Sequence, residues 1–230
     1  MSVHSLSISP SHTFTKLAAE KEIILVAGEG IQGDCHRGVH VQHRSRMHIR
    51  PALPNLRQVH LIGKEVLDGV GVRPGEIGEN VTTVGVDLLG LGVGSRLVFL
   101  PPSFDESGDG PPSKVGSGSG FEYDASKRGG GGGKGEEGDG AVVTGGDGGK
   151  EKEEEGRCPV VVVQGLRNPC PQIDKFRPGL KERFLVRDGE RNIVGRTAGV
   201  MGTVEVGGVV RVGMRIVVER PDEFRPLGCV

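Results

Sequence analysis

Short runs of alternating apolar and polar residues dominate the chain, and glycine or proline closes almost every one of them. Val3–Ile8, Glu22–Ala27, Gln58–Ile62, Arg96–Leu100, Val160–Gln164, Gly199–Val206 and Arg215–Glu219 are rich in β-branched residues and too short for amphipathic helices, so they are read as strands. Helical patterns are few. Gly63–Gly69 has room for two turns, and Pro178–Val186 carries a proline near its first turn, where proline is tolerated. Many short strands with glycine turns and few helices predict a mainly β, barrel-like domain rather than a βαβ sheet. Val93–Val98 and Val212–Val217 also echo one another, each a Val-Gly-x-Arg step into a strand.

Residues 103–157 break the pattern. They hold 18 of the 41 glycines of this 230-residue chain, including the run Gly129–Gly133, together with the Glu153–Glu155 block. Such a segment cannot bury a core and is expected to be a disordered insert. Pro101-Pro102 ends one strand and Cys158-Pro159 opens another, so the expectation is a single domain over 1–230, interrupted at about 103–157.

Removing that tract changes the charge picture. It carries 13 acidic and 7 basic residues, a net of −6, while the remainder has 17 acidic and 22 basic residues, a net of +5. A mildly basic body suits an anionic small molecule. With no Trp and one Tyr it is poorly equipped for nucleic acid. Four scattered cysteines without a CxxC pair do not make a disulfide framework, no segment approaches a membrane span, and the N-terminus lacks an apolar signal region. A reduced, cytoplasmic protein is expected.

The chemistry-bearing motifs lie far apart. Gly28–Gly33 matches GxGxxG after a strand, but the helix and distal acidic residue of a dinucleotide fold do not follow, and a tight turn near a ligand fits better. Gly129–Gly135 lacks the Ser or Thr and the preceding strand of a phosphate loop. Asn80-Val81-Thr82 is a glycosylation pattern without a secretion signal to give it meaning. All seven histidines fall within residues 4–60. His36, His40, His43 and His48 are close enough for a metal loop, yet Arg37, Arg44, Arg46 and Arg50 are interleaved. A cationic anion-binding loop, a zinc loop and a plain solvated loop all remain open readings. Cys170 has the most distinctive surroundings, Arg167-Asn168-Pro169-Cys170-Pro171. Its two prolines stiffen the loop, and Arg167 favours the thiolate, the form that binds metal or transfers sulfur. Cys35, beside His36, is its rival.

Gly33-Asp34-Cys35-His36-Arg37-Gly38, Arg57–Ile62, Pro74-Gly75 through Gly78-Glu79-Asn80, and Leu166–Cys170 together resemble the MOSC domain. This module is found at the C-terminus of molybdenum cofactor sulfurases and as free-standing proteins. The resemblance covers nearly all of the chain outside 103–157, with four motifs in the family's order. It implies a β-barrel-like fold and binding of the molybdenum–pterin cofactor, with Cys170 as molybdenum ligand or sulfur carrier. Gly33, Asp34, His36, Arg37, Arg57, Glu79, Asn80 and Arg167 are the implied cofactor-binding residues. Some relatives reduce N-hydroxylated bases and amidoximes, so the activities implied are sulfur transfer or such a reduction, with a small-molecule substrate and an electron-donor protein or sulfurase as partner. A non-enzymatic carrier of cofactor or sulfur is the alternative. Pyridoxal phosphate belongs to the aminotransferase-like domain of full sulfurases; that domain is missing here, and no lysine can be assigned the Schiff-base role. A soft thiolate suits molybdenum, and arginines suit the cofactor's phosphate.

Overall fold

The computed structural model describes residues 1–16, 21–42, 48–102 and 158–230. The glycine-rich tract at 103–157, and His43, Arg44 and Arg46 of the histidine-rich loop, lie outside the described residues. The protein is mainly β, built on a closed seven-stranded barrel. In chain order the strands are β1 (Ser2–Leu6), β2 (Glu22–Val26), β3 (Gly30–Ile31), β4 (Val59–Gly63), β5 (Val81–Val84), β6 (Arg96–Leu100), β7 (Val160–Leu166), β8 (Leu185–Arg187), β9 (Ile193–Arg196), β10 (Val200–Val206), β11 (Gly208–Arg211) and β12 (Arg215–Glu219). Around the barrel the order is β1-β12-β6-β7-β10-β4-β5; β11-β2-β3 form a second sheet and β8-β9 a ribbon. All pairs are antiparallel except β4–β5, whose parallel pairing is bridged by helix α1 (Lys64–Val70) and the loop that follows it.

Alternation explains which strands are legible. β6 buries Leu97 and Phe99 and turns Arg96 and Val98 outward. β4 is buried along its whole length because both of its faces are covered. Leu61 points into the main core with Leu6, Leu97, Phe99, Val161, Val200 and Ile216. Ile62, one residue on, joins a second apolar cluster with Leu67, Ile77, Ile173 and Phe184 under α1 and the short helix α2 (Gln172–Phe176).

The echoed segments become β6 and β12, which pair with each other in the barrel about Val98↔Val217. Their turn glycines, Gly94 and Gly213, both adopt left-handed backbone, at φ +88° and +86°. β6 and β7, which flank 103–157, are also direct neighbours, with Val98 opposite Val160.

The helix expected over Pro178–Val186 is not there. Helix α2 comes earlier, after Pro171, and the predicted stretch holds a single 3₁₀ turn (Glu182–Phe184) that runs into β8. Phe184 and Leu180 anchor it in the second cluster, and two anchors fix one turn rather than a helix. The GxGxxG stretch forms the β2–β3 hairpin, with Gly28 at φ +72° in the turn. Asn80 is buried, so its glycosylation pattern is inaccessible. Among the described residues no helix is long and apolar enough to cross a membrane.

Candidate functional site

The end of β7 delivers Arg167, Asn168 and Cys170 to a cavity of about 190 Å³. Gln172 of α2, Met201 of β10 and four other segments complete its wall: His12–Lys16, His36–Gln42, Asn55–His60 and the approach to β5 at Gly78 and Asn80. Of the residues singled out by sequence, His36, Arg57, Asn80, Arg167 and Cys170 line this one cavity. Gly33, Asp34, Arg37 and Glu79 do not. Arg37 sits at the surface, where its Nε and Nη2 donate to Glu29. Gly33 is a left-handed turn residue at φ +79°.

Asp34 lies behind the wall and organises it. Its Oδ2 accepts from Lys16 Nζ at 2.6 Å, Asn80 Nδ2 at 3.0 Å and the Ser9 amide at 3.3 Å. Its Oδ1 accepts from the His36 amide at 3.0 Å and faces His36 Nδ1 at 3.2 Å. Burial alone would push the carboxyl up, but the His36 hydrogen bonds and the Lys16 charge outweigh it and hold it below the usual carboxylate range. Lys16, only 3% exposed, is pushed down from the ordinary lysine value by burial, with Asp34 pulling the other way. Asn80 extends the network: its Nδ2 also donates to Ser7 O, and its Oδ1 accepts from the His60 amide.

The Gly75–Asn80 motif earns its glycines from close approach. Gly75 (φ +84°) and Gly78 (φ +83°) press against the 14–16 segment; a Cβ would sit 2.0 Å from Lys16 O at Gly75 and 2.5 Å from Phe14 O at Gly78. Glu79 pins the same loop, its Oε1 accepting from the Gly75 amide. Its Oε2 has no partner among the described residues, and burial raises its carboxyl above the ordinary value.

His60 Nε2 lies 2.8 Å from Ala198 O, and since a carbonyl only accepts, Nε2 carries the proton. Burial, then the charge of Arg167, push the imidazole well below its ordinary value; the ring is neutral at pH 7, with Nδ1 as acceptor. Arg167 is 7% exposed, and its Nη1 has no hydrogen-bond partner among the described residues. Burial lowers it, with Cys170 and Glu79 acting oppositely, yet an arginine stays charged in proteins. Cys170 is half-buried; it touches the second apolar cluster, and its Sγ has only Gln172 Oε1 at 3.8 Å as a weak partner among the described residues.

Sequence reasoning missed His12, Phe14 and Lys16, which sit singly in a Ser/Thr-rich stretch with no motif around them. Phe14 packs on Phe176 with ring centroids 5.7 Å apart, tying that stretch to α2. His60 was within a recognised motif but not singled out. Of the histidines weighed for a metal loop, His40 and His48 are exposed and His43 lies outside the described residues. The metal-capable cluster among the described residues is a different one: His12, Cys35 and His36.

No family model matches the chain, and no curated protein matches it. Among solved structures, the YuaD protein from Bacillus subtilis aligns with a TM-score of 0.57 at 21% identity, covering 96% of this chain and 96% of that one. YiiM from Geobacillus stearothermophilus aligns at a TM-score of 0.49 and 12% identity, covering 95% of this chain and 74% of that one. YiiM from Escherichia coli reaches 0.46 at 12%, covering 98% and 73%. The two YiiM alignments are too weak to carry an argument. The YuaD alignment shows that the barrel of this chain is a fold shared with YuaD, and at that identity it shows the fold alone.

Proposed function

We propose that the chain is a MOSC-type protein that binds molybdenum cofactor in this cavity through Cys170. One observation carries the reading: a buried, charged guanidinium, Arg167, lines the same cavity as Cys170, and its Nη1 has no hydrogen-bond partner among the described residues. A buried guanidinium with an unsatisfied N–H is costly, and an anionic ligand relieves that cost. The four-motif resemblance and the barrel fold agree with it.

The residues present fit the group. Cys170 would supply the soft thiolate that molybdenum takes, Arg167 and Arg57 the charge for a phosphate, and neutral His60 an acceptor, Nδ1, for a pterin N–H. When bound, the cofactor would supply two-electron redox chemistry or a transferable sulfur. The chain's own part is to present the thiolate, to keep a proton on His60 Nε2 while Nδ1 accepts, and to hold Asn80 and His36 in place through Asp34. Reduction of an N-hydroxylated small molecule and sulfur handling both fit this arrangement. A non-enzymatic carrier of cofactor or sulfur is the alternative.

The deciding experiment measures molybdenum and pterin per chain after expression in a cofactor-competent host. Near-stoichiometric metal in the parent, and at least a roughly tenfold loss in Cys170→Ala, is expected. Equal content in the two proteins sinks the proposal. Turnover of an N-hydroxylated base with an electron donor then separates enzyme from carrier.

A further inference from the structure

Beside the cavity, the side chains of His12, Cys35 and His36 converge so that one ligand atom from each lies within 4.8 Å of the others. Cys35 Sγ is 3.2 Å from His36 Nδ1, and the rings of His12 and His36 meet edge to face at 5.3 Å between centroids. Tetrahedral zinc with sulfur at about 2.3 Å and nitrogen at about 2.0 Å places its ligand atoms roughly 3.5 Å apart. The Cys35–His36 pair already stands near that spacing, and the third ligand atom, on exposed His12, lies within 4.8 Å of both. We infer that His12, Cys35 and His36 form a binding site for one zinc-class divalent cation, separate from Cys170.

The donor set selects the ion. One thiol and two imidazoles suit zinc or its transition-metal neighbours and not magnesium or calcium, which take oxygen. Binding replaces the Cys35 thiol proton, which leaves to solvent, by the metal. Three protein ligands leave a coordination position open, as in catalytic rather than structural zinc sites. His12 and His36 also line the cavity.

The two ligand-bearing segments are fastened together independently of any ion. The Cys35 amide donates to Ser9 O at 2.8 Å, and the Ser9 amide donates to Asp34 Oδ2. Ser9 Oγ is bonded to Thr13 Oγ1 at 2.9 Å, which holds the turn bearing His12. Asp34 Oδ1, 3.2 Å from His36 Nδ1 and 3.9 Å from Cys35 Sγ, adds a carboxylate charge facing the ion, while Oδ2 is committed to Lys16 and Asn80. The 3.2 Å Cys35–His36 contact alone would be a hydrogen bond; what points to an ion is the third ligand-type side chain, His12, standing beside the pair.

Cobalt(II) reports the site, because its thiolate complexes absorb strongly. The untagged full-length chain, stripped with a chelator, is titrated with cobalt and then with zinc. One equivalent of cobalt with a thiolate-to-metal charge-transfer band, displaced by zinc, is expected. Cys35→Ser abolishes the band, Cys170→Ser keeps it, and His12→Gln, at an exposed position that leaves the fold intact, weakens cobalt affinity roughly tenfold or more. A parent protein without the band, a band that survives Cys35→Ser or vanishes in Cys170→Ser, or an unchanged affinity in His12→Gln overturns the inference.

Discussion

The barrel interior and the polar layer at its cavity end are both buried, and they are held by opposite means. Leu6, Leu61, Leu97, Phe99, Val161 and Ile216 fill the barrel with side chains that ask nothing of one another but volume. At the cavity end, Lys16, Asp34, His60, Glu79, Asn80 and Arg167 are equally hidden from water, but each must find a specific partner. A core of the first kind degrades gradually when altered. A network of the second kind fails as a unit, and that difference can be measured.

The largest effect is expected at Asp34. Asp34→Ala strands Lys16 as an uncompensated buried charge and removes an acceptor from Asn80 and Ser9, at a cost of about 3–5 kcal/mol in urea unfolding. Adding Lys16→Met should restore a large part of that loss. Simple addition of the two single costs would show that the cavity end behaves like the barrel and that the contrast is wrong. Next comes Leu97→Ala, fully buried in β6, with an expected cost of about 2–5 kcal/mol set by how far the site collapses. The surviving folded protein should keep its cavity chemistry unchanged, because β6 contributes nothing to that wall; a parallel loss of cobalt or molybdenum binding would tie the two regions together.

The smallest effect sharpens the comparison through pH. His60 is held neutral well below the ordinary histidine value, so on acidification the unfolded chain takes a proton that the folded one refuses. The His60 contribution should be flat above about pH 6.5 and fall below it by up to about 1.4 kcal/mol per pH unit. His60→Gln, which can still donate to Ala198 O, should remove that slope when midpoints at neutral and mildly acidic pH are compared. Asp34 acts in a lower window: its depressed carboxyl contributes stability above about pH 4 that is lost as pH falls further. A slope that persists in the His60 variant would assign the titration elsewhere.

The same contrast decides what could be read from sequence. Strands β1, β2, β4, β6, β7, β10 and β12 follow from period-two patterns closed by glycine or proline. β5 is only four residues and hid inside a glycosylation pattern, while β8 and β9, three and four residues long and largely exposed, are too short to show a period. At the cavity, Arg167, Cys170, Asn80, Arg57 and His36 were visible because they sit in dense polar motifs. Lys16 and His12 were not, because what makes them functional candidates is a long-range clamp, Ser9 to Asp34 and Cys35, that leaves no local trace. Arg37 was visible for the wrong reason: it shares a motif with Asp34 but turns outward to Glu29.

The pairing of β6 with β7 has an evolutionary consequence. Residues 103–157 leave and rejoin the barrel where those strands meet, at the start of β7, while Arg167 and Cys170 follow its end, about 20 Å further along. Closing a loop costs only about 0.6 kcal/mol more for each doubling of its length. Sequence can therefore be gained, lost or exchanged at this junction with little penalty to the barrel and none transmitted through the cavity wall. The junction is a natural grafting point, open to drift in length and composition and to an engineer wishing to splice in a second domain, while Arg167 and Cys170 stand past the other end of the same strand.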